Sequence, residues 1–151
     1  MRVLRAMGIP VRAVVDLDFA FKVAPGAGLI PSTHHGIVCC KEIFAVMAEA
    51  GEITLGQDGL PRGGNGVSAA AAYAMMAEHE ETAEHIQAIH VELLKEDIWC
   101  WTKGAIETHL NLASKSAAEH YAFLDQFENA DFREALANYG PVRDMVHWAA
   151  N

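Results

Sequence analysis

RAVVDLDFAF, residues 12–21, is the stretch on which the reading of this chain turns. Ala13, Val14 and Val15 run into two aspartates one residue apart, Asp16 and Asp18, before the chain becomes apolar and aromatic again at Phe19, Ala20 and Phe21. The β-branched content after the Gly8-Ile9-Pro10 turn predicts a buried strand over VRAVVDLDF, residues 11–19. Successive strand side chains alternate faces. Asp16 and Asp18 are therefore expected on one face, their Cα atoms about 6.5 to 7 Å apart, with Leu17 on the other. Two carboxylates together at the end of an apolar strand repel each other and lose hydration unless donors or a cation offset the cost. A divalent ion is the simplest offset. Hard carboxylate oxygens suit Mg²⁺ or Mn²⁺, and open α/β sheets bind ligands beyond the carboxyl ends of their strands. Capping of the following loop or helix is the alternative use of both aspartates, and D-x-D spacing alone does not separate the two.

A second strand is predicted at IWCWT, residues 98–102, from its aromatic and β-branched content. It too delivers charge beyond its end: Lys103 just past it, and Glu107 in the first turn of a helix opening around Ala105. Interaction with the helix dipole is a sufficient ordinary role for Glu107, and a solvated loop position for Lys103. Between the strands, residues 24–36 read as loop, CKEIFAVMAEAG (40–51) as a helix, and GQDGLPRGGNG (56–66) as a second loop. Residues 67–97 read as one long helix or two, bent at EHEET. Residues 2–8 look like the last turns of a helix ending at Gly8, and the tail reads as helices broken near Asn129-Ala130-Asp131 and at Gly140-Pro141. The expected class is α/β, a small parallel sheet flanked by helices with a helical C-terminal part. An α/β core over 1–112 and a helical extension over 113–151, packed on the same domain, are the expected divisions.

At 151 residues, with 52% hydrophobic and 21% charged residues, the chain is the size and composition of one globular domain. Twenty acidic against 11 basic residues give a net charge of −9, and Lys and Arg form no run, which argues against a stand-alone nucleic-acid binder. The longest apolar-rich run, Val67 to Ala77, is too short to cross a bilayer, so no membrane association is expected. No secretory signal is apparent, and three cysteines, two adjacent, form neither a disulfide framework nor a spaced zinc set; a cytoplasmic location fits.

A D-x-D ending a short apolar strand, then helices, then an aromatic strand running into KGAIETHL, resembles the later part of the TOPRIM domain of OLD-family (overcoming lysogenization defect) nucleases. The resemblance spans approximately residues 2 to 112 and is anchored at VVDLDF and IWCWTKGAIE. It implies metal-dependent phosphodiester cleavage of nucleic acid, DNA in the first place, by a nickase-type hydrolase. Asp16, Asp18 and Glu107 would hold Mg²⁺ or Mn²⁺, and Lys103 would stabilise charge on the scissile phosphate. The TOPRIM fold begins with a strand and an acidic residue upstream of the D-x-D. This chain starts in the helix just before VRAVVDLDF, so the resemblance implies a truncated remnant, a fragment of a longer protein, or half of an assembly in which a homodimer mate or another chain supplies the missing strand. No G-x-x-x-x-G-K-[ST] occurs, so no ATP site is expected. A non-catalytic interaction or regulatory module that keeps the fold is the rival reading.

Eight histidines invite a different metal chemistry. His79 and His85 are six apart, about 600° of helix and not one face, and only Asp144 stands as an acid three residues before a histidine. The zincin and di-iron patterns therefore fail. His34-His35 is expected as an ordinary pair in a loop, able to overhang the site; Cys39, Cys40 and Cys100 as small buried residues; Trp99, Trp101 and Trp148 as core.

Overall fold

The computed structural model describes residues 6–110, 112, 116–129 and 139–151 and divides into two compact units, Met1–Gly104 and Ala105–Asn151. In chain order the first unit runs β1 (Ala13–Val15), α1 (Asp18–Lys22), α2 (His35–Glu49), β2 (Thr54–Leu55), β3 (Pro61–Arg62), α3 (Ala69–Glu78), a 3-10 turn (Glu80–Thr82), α4 (Ala83–Leu94) and β4 (Ile98–Cys100). The two strands expected from sequence pair with each other. They are parallel, Ala13 beside Ile98, Val14 beside Trp99 and Val15 beside Cys100. Helices flank this small sheet, as the α/β reading expects.

The first strand is shorter than its apolar pattern suggests. It stops at Val15, and Asp18 already belongs to α1. The cause is tertiary: Leu17 is fully buried, and the α1 that follows sets Ala20 and Phe21 into the core. Phe21 packs against Phe44 and Tyr73 with ring centroids 5.9 and 5.5 Å away, and Phe44 meets Tyr73 edge-on at 5.1 Å. Fully burying a side chain of this size contributes about 2 kcal/mol, so three such rings outweigh the local preference of VRAVVDLDF to stay extended.

Two loops expected from sequence differ in detail. Residues 56–66 are not loop throughout: Pro61 and Arg62 pair antiparallel with Leu55 and Thr54. The Asp58 carboxylate accepts the Leu60 N–H at 3.2 Å, and Gly59 takes a φ of +70°, a turn chemistry suited to a hairpin whose strands are too short to show a pattern. The helix expected from residue 40 begins at His35, so His35 is helical, while His34 is the N-cap residue that ends the loop. At Gly36 the α2 backbone meets α4 closely: a Cβ there would lie 2.6 Å from the His85 carbonyl. Helix contact, not propensity, fixes this start.

The bend expected at EHEET is present, and its cause is Thr82. Its buried hydroxyl lies 2.8 Å from both the Met76 and His79 carbonyls, capping the end of α3 while the 3-10 turn leads into α4. Of the cysteines, Cys40 and Cys100 are buried but Cys39 is only half-buried; of the first unit's tryptophans, Trp101 is buried and Trp99 half-buried. Trp99 lies at the edge because it alternates with Ile98 and Cys100, which take the inner face of β4.

The second unit contains α5 (Ile106–Leu110), α6 (Ala117–Asn129) and α7 (Tyr139–Ala150), with α5 touching α7. Ser116 caps α6 by accepting the Glu119 N–H at 3.2 Å. α7 starts at Tyr139, one residue before Gly140-Pro141, and runs through both, because Pro141 falls in its first turn, where no intrahelical N–H is needed. Trp148 on α7 is half-buried, not core. The expected helix over residues 2–5 and the break at Ala130-Asp131 lie outside the described residues. Among the described residues no helix is long and apolar enough to cross a membrane.

Beyond β4 the chain turns at Gly104, whose φ of +96° an L side chain rarely adopts and whose Cβ, if present, would sit 3.2 Å from the Ala74 Cα. Gly104→Ala is expected to cost about 2 kcal/mol, read as a lower denaturant midpoint. His90 supplies a second test. Its Nδ1–H donates to the Cys100 carbonyl at 2.7 Å, tying α4 to β4, and its ring meets Trp99 edge-on at 4.7 Å. Burial holds its pKa below the ordinary value despite that hydrogen bond. The unfolded chain then binds the proton more readily, so this stability is complete above about pH 6.5 and declines as pH falls below it. The expected result is a denaturant midpoint that drops through that window in the wild type and drops less in His90→Gln.

Candidate functional site

Both strands of the parallel pair end at the same edge, and the residues that follow them are locked together by backbone. The Trp101 N–H donates to the Val15 carbonyl at 3.0 Å, carrying the pairing past β4. The Leu17 N–H then donates to the Gly104 carbonyl at 2.6 Å. The residue between the two aspartates is thus bonded to the residue just after Lys103. Asp16 and Asp18 are half-buried on either side of the fully buried Leu17, and Lys103 is exposed.

The aspartates are not held by strand alternation. Asp16 occupies a turn whose carbonyl accepts the Phe19 N–H at 3.1 Å, and Asp18 opens α1. The outcome still gathers their charge. Burial first, and then the negative charges of Asp16 and Asp18, push the Cys100 thiol at the end of β4 up to about 12. Asp18 also accepts a hydrogen bond from Lys22, one turn on, at 3.0 Å. Both partners are more than a third exposed, so this pair contributes less than about 0.5 kcal/mol and is readily exchanged for a stronger cation. Two half-buried carboxylates at the carboxyl end of parallel strands form a hard-oxygen donor set, which fits Mg²⁺ or Mn²⁺ and not a thiophilic ion. Glu107 stands in the first turn of α5, in the second unit. Of the four residues expected at the site, the first unit brings together Asp16, Asp18 and the turn that carries Lys103.

Next to α1 the structure also opens a cleft of about 490 Å³ that sequence reading missed. Lys22, Lys41 and Arg62 line it, three of the chain's 11 basic residues, drawn from α1, α2 and β3. Asp58 organises two of them: Arg62 meets its carboxylate at 2.8 Å and Lys41 donates to its carbonyl at 3.2 Å. Lys22 lies 5.3 Å from the centre of the Tyr73 ring. The three cations are about 20 residues apart in sequence, so no basic run announces them; only the packing of the hairpin on α2 does.

No family model matches the chain, and no solved structure matches it. It is similar to the Old nuclease of Escherichia phage P2, 23% identical over 154 residues, an alignment that covers 97% of this chain and 25% of that protein. The chain therefore spans a quarter of the relative's length. That likeness supports a relation to the OLD family.

Proposed function

We propose that this chain is a TOPRIM-like module of the OLD type that holds Mg²⁺ or Mn²⁺ on Asp16 and Asp18 and takes part in phosphodiester cleavage of nucleic acid, DNA in the first place. The observation that carries the proposal is the Leu17 N–H to Gly104 carbonyl bond, which brings the two motifs of the resemblance to one sheet end. When bound, the divalent ion supplies an activated water and offsets charge on the leaving oxygen. Asp16 and Asp18 fix its position from a rigid turn and helix start, where the buried Leu17 keeps both carboxylates from drifting. In this proposal the Lys103 ammonium stabilises the negative charge that grows on the phosphate.

The cation-lined cleft gives the strand its path. Phosphates entering it displace the weak Asp58 and Asp18 partners from Arg62 and Lys22, exchanging exposed ion pairs for contacts to the backbone of the nucleic acid. Among the described residues β1 pairs with β4, and the family resemblance calls for a further strand and acidic ligand beside this pair.

Plasmid nicking with Mg²⁺ or Mn²⁺ tests the catalytic proposal. Asp16→Asn and Asp18→Asn are each expected to lower the rate by about 100-fold or more, comparable to removing a major electrostatic contributor. Lack of nicking by the wild type, or nicking in both variants at the wild-type rate, refutes it; Mn²⁺ binding that depends on the aspartates without nicking leaves the non-catalytic module as the reading. For the cleft, the combined Lys22→Gln, Lys41→Gln and Arg62→Gln variant is expected to bind DNA more weakly, with the slope of log affinity against log salt reduced by about 2 to 3. An unchanged slope places the strand elsewhere.

A further inference from the structure

We propose that the packed ends of α2 and α4 form a second, separate metal site, for a borderline-soft divalent cation such as Zn²⁺, with His35, Cys39 and His85 as its ligands. His35 and Cys39 are four residues apart on α2 and therefore share a face. His85, near the start of α4, meets that face from the neighbouring helix. One ligand atom from each of the three lies within 4.8 Å of the others. The Cys39 Sγ is 3.7 and 3.6 Å from the His35 Nδ1 and Nε2, and the two imidazoles stand edge to face with centroids 5.2 Å apart. In a tetrahedral zinc centre, Zn–S and Zn–N bonds of about 2.3 and 2.05 Å place sulfur and nitrogen about 3.6 Å apart. Side-chain rotations of these three residues would close the set around an ion.

The backbone beneath is rigid for a reason independent of any ion. Gly36, buried beside His35, lets α2 touch α4 at the His85 carbonyl, and a Cβ there would also lie 3.1 Å from the Ile89 side chain. Ile37, Ile86 and Ile89 continue both helices into the core, so the ligand-bearing ends are held in place from below. His35 is exposed, and Cys39 and His85 are half-buried, so the ion enters from solvent and a water takes the fourth position. A thiolate and two imidazoles select Zn²⁺ over Mg²⁺ and Mn²⁺, the reverse of the carboxylate pair at Asp16 and Asp18. On binding, the Cys39 thiol releases its proton to solvent as the metal–sulfur bond forms, and each imidazole binds through a neutral nitrogen while its other nitrogen keeps a proton. Affinity therefore falls as pH is lowered. The ion would clamp α2 to α4, the pair on which the core of the first unit is built.

Titrating the metal-free full chain with Co²⁺, followed by displacement with Zn²⁺, tests this. The expected spectrum carries a thiolate-to-cobalt charge-transfer band and the ligand-field bands of a four-coordinate ion. Cys39→Ser is expected to abolish the charge-transfer band, and His85→Ala to weaken Co²⁺ affinity by at least about 100-fold, more than the loss of an outer-shell partner. Asp16→Asn is expected to leave both the spectrum and the affinity unchanged, which separates this site from the carboxylate pair. Zn²⁺ should raise the melting temperature of the wild type and not of Cys39→Ser. A wild-type chain with no thiolate band overturns the proposal whatever the variants do. So do a band that survives Cys39→Ser, or His85→Ala with undiminished affinity.

Discussion

The hydrogen bond from the Leu17 amide to the Gly104 carbonyl closes the far end of the β1–β4 pair, and the first unit is arranged around that closure. It needs Leu17 in the core, which turns the chain straight into α1 and sends Phe21 against Phe44 and Tyr73. It also needs Gly104 in a left-handed conformation against Ala74 of α3, which fixes where the chain emerges after β4. A pair of charged residues in an apolar stretch is tolerated here because the residue between them carries the burial, while the aspartates stay at the rim.

Both strands and their parallel pairing were legible, since β-branched and aromatic runs bounded by turn residues carry that information locally. So was the bend near His79, where the charged stretch interrupts the Ala-rich helix. The end of β1 was not legible. VVDLDF looks extended by propensity, and only the core pocket filled by Leu17 and Phe21 shows why it turns helical at Asp18. The early start of α2 at His35 depends likewise on a glycine fitting under a neighbouring backbone. For the site, sequence reading picked out the aspartates and Lys103 from their positions at strand ends. It missed the cations of the cleft and the grouping of His35, Cys39 and His85, because spacing rules within one segment are blind to partners that arrive from another helix.

Charge is distributed with more order than the net value of −9 suggests. Lys22, Lys41 and Arg62 gather at one cleft, each engaged by an acidic group, an aromatic face or a carbonyl that a phosphate can replace. Hard carboxylates lie at the sheet end, and nitrogen and sulfur donors lie at the junction of α2 with α4. Donor chemistry gives the two sets different ion preferences.

The closure at Gly104 has a bearing on synthesis. A parallel pair joined across four helices gains nothing from local contacts until the intervening chain has collapsed, so its ordering comes late. On the ribosome, β1 and the aspartates emerge first and β4 last, and Gly104 must clear the exit tunnel before Leu17 has its acceptor. Until then the VVDLDF segment is an unpaired apolar strand edge on a nascent chain, the state in which this protein is most exposed to misassociation.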